Sequence, residues 1–241
     1  MFADAIAKLT ESIFPIFFTH GEDNDVAMDV CGTGFFVDDS GHFITADHIM
    51  NCAPVGATYC YFGKVPDQLS QSPVEIEQVA SDPTRDLYLG RVRRDYLRAA
   101  ELSAESVRPG DYVCLSGYPM AVISIAAGGR FVGNIQCYWQ PAFVVDATEA
   151  VIHGRRYDGY IVDRPCFSGM SGGPVFDVEG TVRGMGAGTL TRTIPELEGD
   201  PIVVRNGIVV DVEHIRAFIA KHRPSVSAGQ QPNPEIAATV E

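Results

Sequence analysis

The sequence has few basic residues for its length. In 241 residues, 18 Lys and Arg stand against 31 Asp and Glu, which gives a formal net charge of −13. A surface of this sign repels phosphate backbones and anionic lipid headgroups. We therefore expect no nucleic-acid binding and no membrane binding.

Long apolar runs are also missing. No segment approaches the about 20 apolar residues that a transmembrane helix needs. The first 18 residues contain Asp4 and Glu11 and lack the basic and apolar regions of a secretory signal. From the sequence alone we expect a soluble, cytoplasmic protein.

The sequence contains no C-x-x-C pair. Its cysteines are irregularly spaced, at Cys31, Cys52, Cys60, Cys114, Cys137 and Cys166. Zinc and dithiol redox chemistry are therefore not indicated, and we expect neither a metal nor a cofactor. In a chain without an export signal, buried reduced thiols are the expected state.

Short apolar runs broken by turn residues fill most of the chain from residue 13 to residue 210. The breaks include DDSG at 38–41, RPGD at 108–111 and DVEG at 177–180. No helical pattern lies between the runs, so the sequence predicts an all-β fold of the sandwich or barrel type.

Helices are predicted only near the two ends. Good helix formers occupy residues 3–11. Asp211 can cap a second helix over 211–222, whose apolar side chains would share one face. The remaining residues, 223–241, are polar and aperiodic and are expected to form a disordered tail.

The segment GMSGGP, residues 169–174, has the composition of a serine nucleophile site. Glycines let the backbone turn sharply and present bare N–H groups to one point, which a developing oxyanion requires. The N–H groups of Gly169 and Ser171 would form that oxyanion hole beside the Ser171 hydroxyl. An ordinary glycine-rich turn is the alternative for this motif alone.

Two other segments supply partners for this serine. His48 follows an apolar run and precedes an apparent helical turn, where a neutral imidazole can act as a general base. Asp86 enters an apolar strand, where a carboxylate needs a partner such as the imidazole N–H of His48. Asp82 is the competing carboxylate, although it has the position of a turn residue before Pro83.

The order His48, Asp86, Ser171 is that of chymotrypsin-clan peptidases. The likeness extends over four segments. They are GTGFFVDDSGHFITADH at 32–48, DPTRDLYLGRV at 82–92, GDYVCLSGYP at 110–119 and VDRPCFSGMSGGPV at 162–175. In this order they resemble the motifs of HtrA (Deg) type trypsin-like peptidases. The resemblance covers roughly residues 5–222.

The resemblance implies two antiparallel six-stranded β-barrels, with the triad in the cleft between them. We place the first barrel at about 13–103 and the second at about 107–210, within a peptidase domain of residues 1–222. No PDZ-sized segment follows the second helix, so the peptide-binding behaviour of longer relatives is not assumed.

Two residues depart from the family pattern. Asp47 stands before His48 in place of a small apolar residue, and either faces solvent or perturbs the histidine. Met170 stands before Ser171, where secreted trypsins have the aspartate that pairs with a newly cleaved N-terminus. That zymogen switch is therefore not expected.

The resemblance also implies a substrate pocket and a cysteine contact. The pocket would be lined by Pro165, Cys166, Gly186, Ala187 and Gly188, with a region near Gly207 and Val209. None of these is charged, so uncharged substrate side chains are expected, unless residues 189–206, including Arg192, fold over the pocket. Cys31 and Cys52 are expected to be neighbours, yet reduced.

A serine endopeptidase acting on protein or peptide substrates is the function that these features predict. The alternatives are a catalytically silent binding or scaffold module of the same fold, and an esterase-type acyl hydrolase. Regulation by a protein partner is a further hypothesis. The substrate, the specificity and the oligomeric state do not follow from the sequence.

Overall fold

The computed structural model describes residues 1–20, 27–61, 74–93, 98–119, 121–126, 130–152, 155–195 and 200–222. The predicted tail, 223–241, lies outside the described residues. The helices are α1 (Ala3–Leu9), α2 (Val212–His222) and a short 3-10 helix (Asp47–Asn51). The strands are β1 (Ile13–His20), β2 (Ala27–Phe36), β3 (His42–Thr45), β4 (Thr58–Tyr61), β5 (Val74–Glu75), β6 (Glu77–Asp82), β7 (Leu87–Arg91), β8 (Tyr112–Gly117), β9 (Val122–Ala126), β10 (Arg130–Asn134), β11 (Tyr138–Ile152), β12 (Arg155–Val162), β13 (Pro174–Phe176), β14 (Val182–Ile194) and β15 (Ile202–Asp211).

The first seven strands form an antiparallel sheet in the order β5, β4, β1, β2, β3, β7, β6. Its two edge strands, β5 and β6, are consecutive in the chain and separated only by Ile76. The segment 74–82 therefore pairs with β4 at one end and with β7 at the other, which curls the sheet into a barrel. Counted as one bent strand, this segment makes the barrel six-stranded.

The remaining strands form a closed antiparallel barrel in the order β11, β12, β15, β14, β13, β8. Strands β9 and β10 stand apart from it as a two-stranded hairpin. The predicted fold class is confirmed: two antiparallel barrels with a short helix at each end. Closure removes most free strand edges, which limits pairing with other chains.

One apolar cluster joins the two barrels. It contains Phe14 and Phe43 of the first barrel and Phe176 and Ile208 of the second. Phe2, just before α1, packs its ring edge-on against Phe176, with ring centroids 5.9 Å apart. Because this core is shared, the barrels are fixed against each other, and so are the side chains at their junction.

Helix α2 closes the second barrel as the sequence predicts. Asp211 Oδ1 accepts the N–H of Glu213 at 2.8 Å, which caps the helix. Val212, Ile215 and Phe218 are buried on one face, against β14 and β15 of the second barrel and β7 of the first. Neither α1 nor α2 is long and apolar enough to span a membrane.

Candidate active site

His48 lies on the 3-10 helix that follows β3, at the edge of the first barrel. Its side chain is 29% exposed, and its backbone N–H donates to Asp86 Oδ1 at 2.9 Å. The imidazole therefore lies at the junction of the barrels. The Asp86 carboxylate holds the backbone of His48 in place.

Asp86 is fully buried beneath the imidazole. Its Oδ2 and Oδ1 lie 2.8 and 3.0 Å from His48 Nδ1. A carboxylate only accepts hydrogen bonds, so the neutral ring carries its proton on Nδ1. Nε2 is left with a free lone pair, as a general base requires.

The Asp86 carboxylate has a further neighbour from the second barrel. The Tyr157 hydroxyl lies 3.5 Å from Oδ2, and Tyr157 itself is buried. Nothing in the sequence marks this tyrosine, because its approach to Asp86 depends on how the barrels pack.

Asp82, the competing carboxylate, is a turn residue. Its Oδ1 accepts the backbone N–H groups of Thr84 and Arg85 at 3.1 and 3.2 Å. Its Oδ2 pairs with the Arg85 guanidinium, also at 3.2 Å. These contacts hold the turn in place. The carboxylate that contacts His48 is that of Asp86.

Ser171 belongs to the segment 166–173, here called the serine loop, which leads into β13. Gly169 has φ 90° and Gly172 has φ 85°, in the left-handed region that favours glycine. A Cβ on Gly172 would also collide with the Thr33 carbonyl and the Thr45 hydroxyl. The glycines of the motif are therefore required by the backbone path around Ser171.

The predicted oxyanion donors are unoccupied. Within the described ranges, the backbone N–H groups of Gly169 and Ser171 donate to no acceptor, whereas those of Met170 and Gly172 do. Met170 donates to the Phe167 carbonyl at 2.9 Å, and Gly172 donates to the Gly186 carbonyl at 2.7 Å. The loop thus leaves the two predicted donors without a partner among the described residues.

The first barrel holds the serine loop in place through Thr33 of β2. The Thr33 hydroxyl donates to the Gly169 carbonyl at 2.7 Å and accepts the Tyr118 N–H at 3.1 Å. The Thr33 N–H donates to the Ser171 carbonyl at 3.0 Å. The histidine and the serine are therefore carried by different barrels but tied through one buried threonine.

The Ser171 hydroxyl is not bonded to His48. It donates to the Ala187 carbonyl at 3.2 Å, and no hydrogen bond to the imidazole exists among the described residues. The Cys166 thiol is a second neighbour: burial raises its pKa to about 12, and the nearby Ser171 hydroxyl opposes that rise. The thiol is therefore neutral.

His48 and Ser171 line one cleft of about 430 Å³. Four of the predicted pocket residues line it too: Pro165, Cys166, Ala187 and Gly188. Gly186 lies behind this wall, hydrogen-bonded to Gly172 and Gly173. Gly207 and Val209, the remaining region predicted for the pocket, are buried.

The cleft also contains residues that the sequence reasoning missed. They are Phe167 and Ser168 of the serine loop, Thr189 and Thr191 of β14, and Arg205 of β15. The last of them contradicts the expectation of a pocket without charge. The sequence leaves open that residues 189–206 change the pocket, and the structure agrees with that alternative. The residue that brings charge to the cleft is Arg205, whereas Arg192 does not line it.

Asp47 neither faces solvent nor contacts the imidazole in the described hydrogen bonds. It is 1% exposed, and its carboxylate accepts the Ser81 hydroxyl at 2.6 Å and the Asn51 amide at 3.0 Å. It lines a second cavity, of about 370 Å³, with Tyr59 and Tyr88. Burial, with the charge of Asp47, raises the pKa of Tyr88 to about 12.

Cys31 and Cys52 are neighbours, as the resemblance implied. All six cysteines are free thiols; the Cys31 thiol donates to the Ile16 carbonyl at 3.4 Å and the Cys52 thiol donates to the Ile49 carbonyl at 3.1 Å. The neighbouring Cys31 thiol favours the Cys52 thiolate and lowers the pKa of Cys52 to about 6. No cluster of three or more His, Cys, Asp or Glu side chains able to hold a metal occurs in the described part of the chain.

The geometry agrees with the comparison against protein families. A model for the trypsin-like peptidase domain matches residues 32–185, more than half of the chain. The chain belongs to the trypsin-like peptidase family. It is accordingly a serine peptidase domain, of the kind that the sequence motifs indicate.

Curated relatives of this trypsin-like domain are longer proteins. The chain is 34% identical over 161 residues to the uncharacterized protein y4bJ of Sinorhizobium fredii, covering 66% of the chain and 22% of that protein. It is 26% identical over 157 residues to the “Probable periplasmic serine endoprotease DegP-like” of Rhizobium meliloti, covering 64% and 27%. The chain thus spans about a quarter of the length of these relatives.

Solved structures show the same fold. The Rv3671c protease from M. tuberculosis in its active form superposes with a TM-score of 0.60 at 21% identity, over 93% of this chain and 86% of that one. The inactive form of the same protease gives a TM-score of 0.57, also at 21% identity, over 92% and 93%. At this identity the likeness establishes the architecture and not the chemistry.

Proposed function

We propose that this domain is a serine endopeptidase in which Ser171 is the nucleophile, His48 the general base and acid, and Asp86 the residue that orients His48. The observation that carries the proposal is the arrangement of these groups. A buried carboxylate fixes the histidine in the tautomer of a base. Ser171 lines the same cleft, and its own N–H and that of Gly169 donate to no acceptor within the described ranges.

Acylation requires a small rearrangement from the structure described. The Ser171 hydroxyl must leave the Ala187 carbonyl and donate to His48 Nε2, a hydrogen bond that often forms only when substrate binds. The oxygen then attacks the scissile carbonyl as its proton moves to Nε2. The N–H groups of Gly169 and Ser171 stabilise the oxyanion that forms.

The tetrahedral intermediate collapses when His48 returns the proton to the leaving amine. The new amino end departs and an acyl ester on Ser171 remains. Water then attacks the acyl ester, with His48 again as the general base, and the carboxylic acid product is released. Asp86 stabilises the imidazolium in both halves without taking its proton.

Labelling with a fluorophosphonate, followed by a peptide-library digest, tests this function. We expect an adduct on Ser171 and cleavage of peptide bonds. Labelling without peptide cleavage would indicate the esterase-type alternative. Absence of both would indicate the silent scaffold module.

Variants sharpen the test, because the chain contains a second His–Asp pair. His42 Nδ1 lies 2.8 Å from Asp38 Oδ2, as in the His48 pair, but His42 is not among the residues that line the cleft. Ser171→Ala and His48→Ala should each lower turnover by about 10⁴ to 10⁶. His42→Ala should retain turnover. Full activity in Ser171→Ala would show that another residue is the nucleophile.

The biological setting stays a prediction. We propose a protein or peptide substrate and a cytoplasmic location, although the DegP-like relatives carry the word periplasmic in their names. Control by a protein partner is part of the same hypothesis. Fractionation of cells with an antibody against this domain tests the location, and co-purification with the Ser171→Ala variant tests for bound partners.

A further inference from the structure

Arg205 stands in the wall of the cleft that contains His48 and Ser171. It lies on β15 directly opposite Thr191 of β14, in the hairpin that extends from the wall residues Ala187 and Gly188. Arg192, the next residue on β14, does not line the cleft, because successive side chains on a strand point to opposite faces. The register of the hairpin therefore places Arg205, and not Arg192, in the cleft.

The charge of Arg205 is uncompensated within the described chain. No ion pair or hydrogen bond holds its guanidinium there, and no Asp or Glu is among the residues that line the cleft. A bare cation in a concave site attracts a ligand of opposite charge.

Neighbouring polar groups can serve the same ligand. The hydroxyls of Ser168 and Thr191 line the cleft and make no hydrogen bond to the described residues. The Thr189 hydroxyl is occupied, since it donates to the Cys166 carbonyl at 2.6 Å. Two free hydroxyls and a planar guanidinium suit the several lone pairs of a carboxylate.

The space beside Ser171 is sufficient for such a side chain. Ala187 and Gly188 add little bulk to the wall, and the cleft measures about 430 Å³. We propose that Arg205 makes the peptidase selective for Glu or Asp immediately before the scissile bond. This inference rests on the proposed function and replaces the expectation of uncharged side chains.

Three peptides that differ only in the residue before the scissile bond, Glu, Gln or Lys, provide the test. Glu and Gln have nearly the same shape, so their ratio of kcat/KM isolates the charge. We expect Glu to exceed Gln by about 10-fold and Lys to be the poorest, because a guanidinium pairs with a carboxylate and repels an ammonium. The ratio should fall as salt is added.

Variants of Arg205 and Arg192 test which arginine of the hairpin causes the preference for Glu over Gln. Arg205→Gln should bring the ratio of Glu to Gln close to one, and Arg205→Glu should make Lys the preferred residue. Arg192→Gln removes the same charge from the same hairpin and should preserve the wild-type ratio. Equal cleavage of Glu and Gln peptides by the wild-type protein, or an unchanged ratio in Arg205→Gln, would overturn the inference.

Product binding separates this inference from the proposed function. Peptides that end in Glu or Gln can be titrated into the Ser171→Ala variant by calorimetry, which needs no turnover. About 10-fold tighter binding of the Glu peptide, lost in the Ser171→Ala, Arg205→Gln double variant, would support the charge preference even if the wild-type protein cleaved nothing. Equal binding of both peptides would refute it even if the protein proved to be a peptidase.

Discussion

Asp86 has the most demanding surroundings of any single residue in the proposed triad. Its carboxylate is fully buried, and its backbone φ is 58°, in the left-handed region. That region costs an ordinary L-residue about 1–2 kcal/mol and is tolerated best by Gly, Asn and Asp. The backbone and side chain of His48 both donate to this carboxylate, which offsets its burial.

Two substitutions at Asp86 should separate orientation of the base from backbone strain. Asp86→Asn keeps a residue that accepts this conformation but loses the charge that fixes the tautomer, so turnover should fall about 10⁴-fold with substrate binding intact. Asp86→Ala should lose as much activity and should also unfold more readily than Asp86→Asn, by about 1–2 kcal/mol. Denaturant titration and steady-state kinetics measure both effects. Equal stability of the two variants would contradict the assignment of strain.

Cys52 should be the most reactive thiol. The neighbouring Cys31 thiol lowers the pKa of Cys52 to about 6, so Cys52 should carry a larger thiolate fraction near neutral pH than the other thiols. Alkylation by iodoacetamide, followed by mass spectrometry, should modify Cys52 first. Burial raises the pKa of Cys60 to about 11, which makes Cys60 the unreactive control.

The Cys31→Ala variant tests the cause of this reactivity. Without the neighbouring thiol, the pKa of Cys52 should return toward the ordinary value of about 8.5, and alkylation at pH 7 should slow. Unchanged alkylation would show that Cys31 is not responsible. The same mass analysis of native protein tests the predicted reduced state, because a bridge between Cys31 and Cys52 would block both residues.

At the scale of elements, β2 positions the serine loop although it carries none of the proposed triad. Thr33 satisfies the Gly169 carbonyl and the Tyr118 N–H through one buried hydroxyl. Gly169 supplies an oxyanion donor, so the position of that donor depends on a strand of the other barrel. Catalysis should therefore respond to a residue that is not itself expected to touch substrate.

Thr33→Val should weaken both the fold and the site. The valine keeps the shape but removes both hydrogen bonds of the hydroxyl and leaves the Tyr118 N–H and the Gly169 carbonyl with only their mutual bond of 3.3 Å, which should cost about 1 kcal/mol in unfolding free energy. A displaced Gly169 N–H should lower kcat more than it raises KM, because the donor acts mainly in the transition state. Thr193→Val, an exposed site on β14, is the control and should change stability by less than about 0.5 kcal/mol. A loss of stability with unaltered kcat would limit Thr33 to a structural role.

At the scale of the whole molecule, the two barrels behave as one body because they share an apolar core and a helix. The shared cluster includes Phe43 from the first barrel and Phe176 from the second, and α2 contacts strands of both. The proposed triad needs this union, since His48 and Asp86 belong to one barrel and Ser171 to the other. We therefore expect the barrels to unfold together.

Ile215→Ala in α2 tests this cooperativity. Ile215 is 0% exposed, so its truncation should cost about 2–5 kcal/mol. Near-UV circular dichroism and intrinsic fluorescence should report a single transition at lower denaturant concentration. Lys221→Ala, an exposed change in the same helix, should cost less than about 1 kcal/mol. Two separate transitions in Ile215→Ala would show that the barrels are independent.

The features that the sequence predicted correctly have local causes. Alternating apolar runs and turn residues indicated the antiparallel strands, and Asp211 with its apolar face indicated α2. The turn chemistry before Pro83 marked Asp82 as a turn residue, which left Asp86 for His48. In each case the residues that set the structure are neighbours in the chain.

The sequence by itself thus determined the class of fold, the family and the candidate residues His48, Asp86 and Ser171. Only the tertiary structure revealed that Thr33 holds Gly169 and that Arg205 lines the cleft. Both depend on contacts between distant segments, the first on the packing of two barrels and the second on the register of a long hairpin. A shift of β15 by one residue against β14 would turn Arg205 away from the cleft, and no local pattern in the sequence specifies that register.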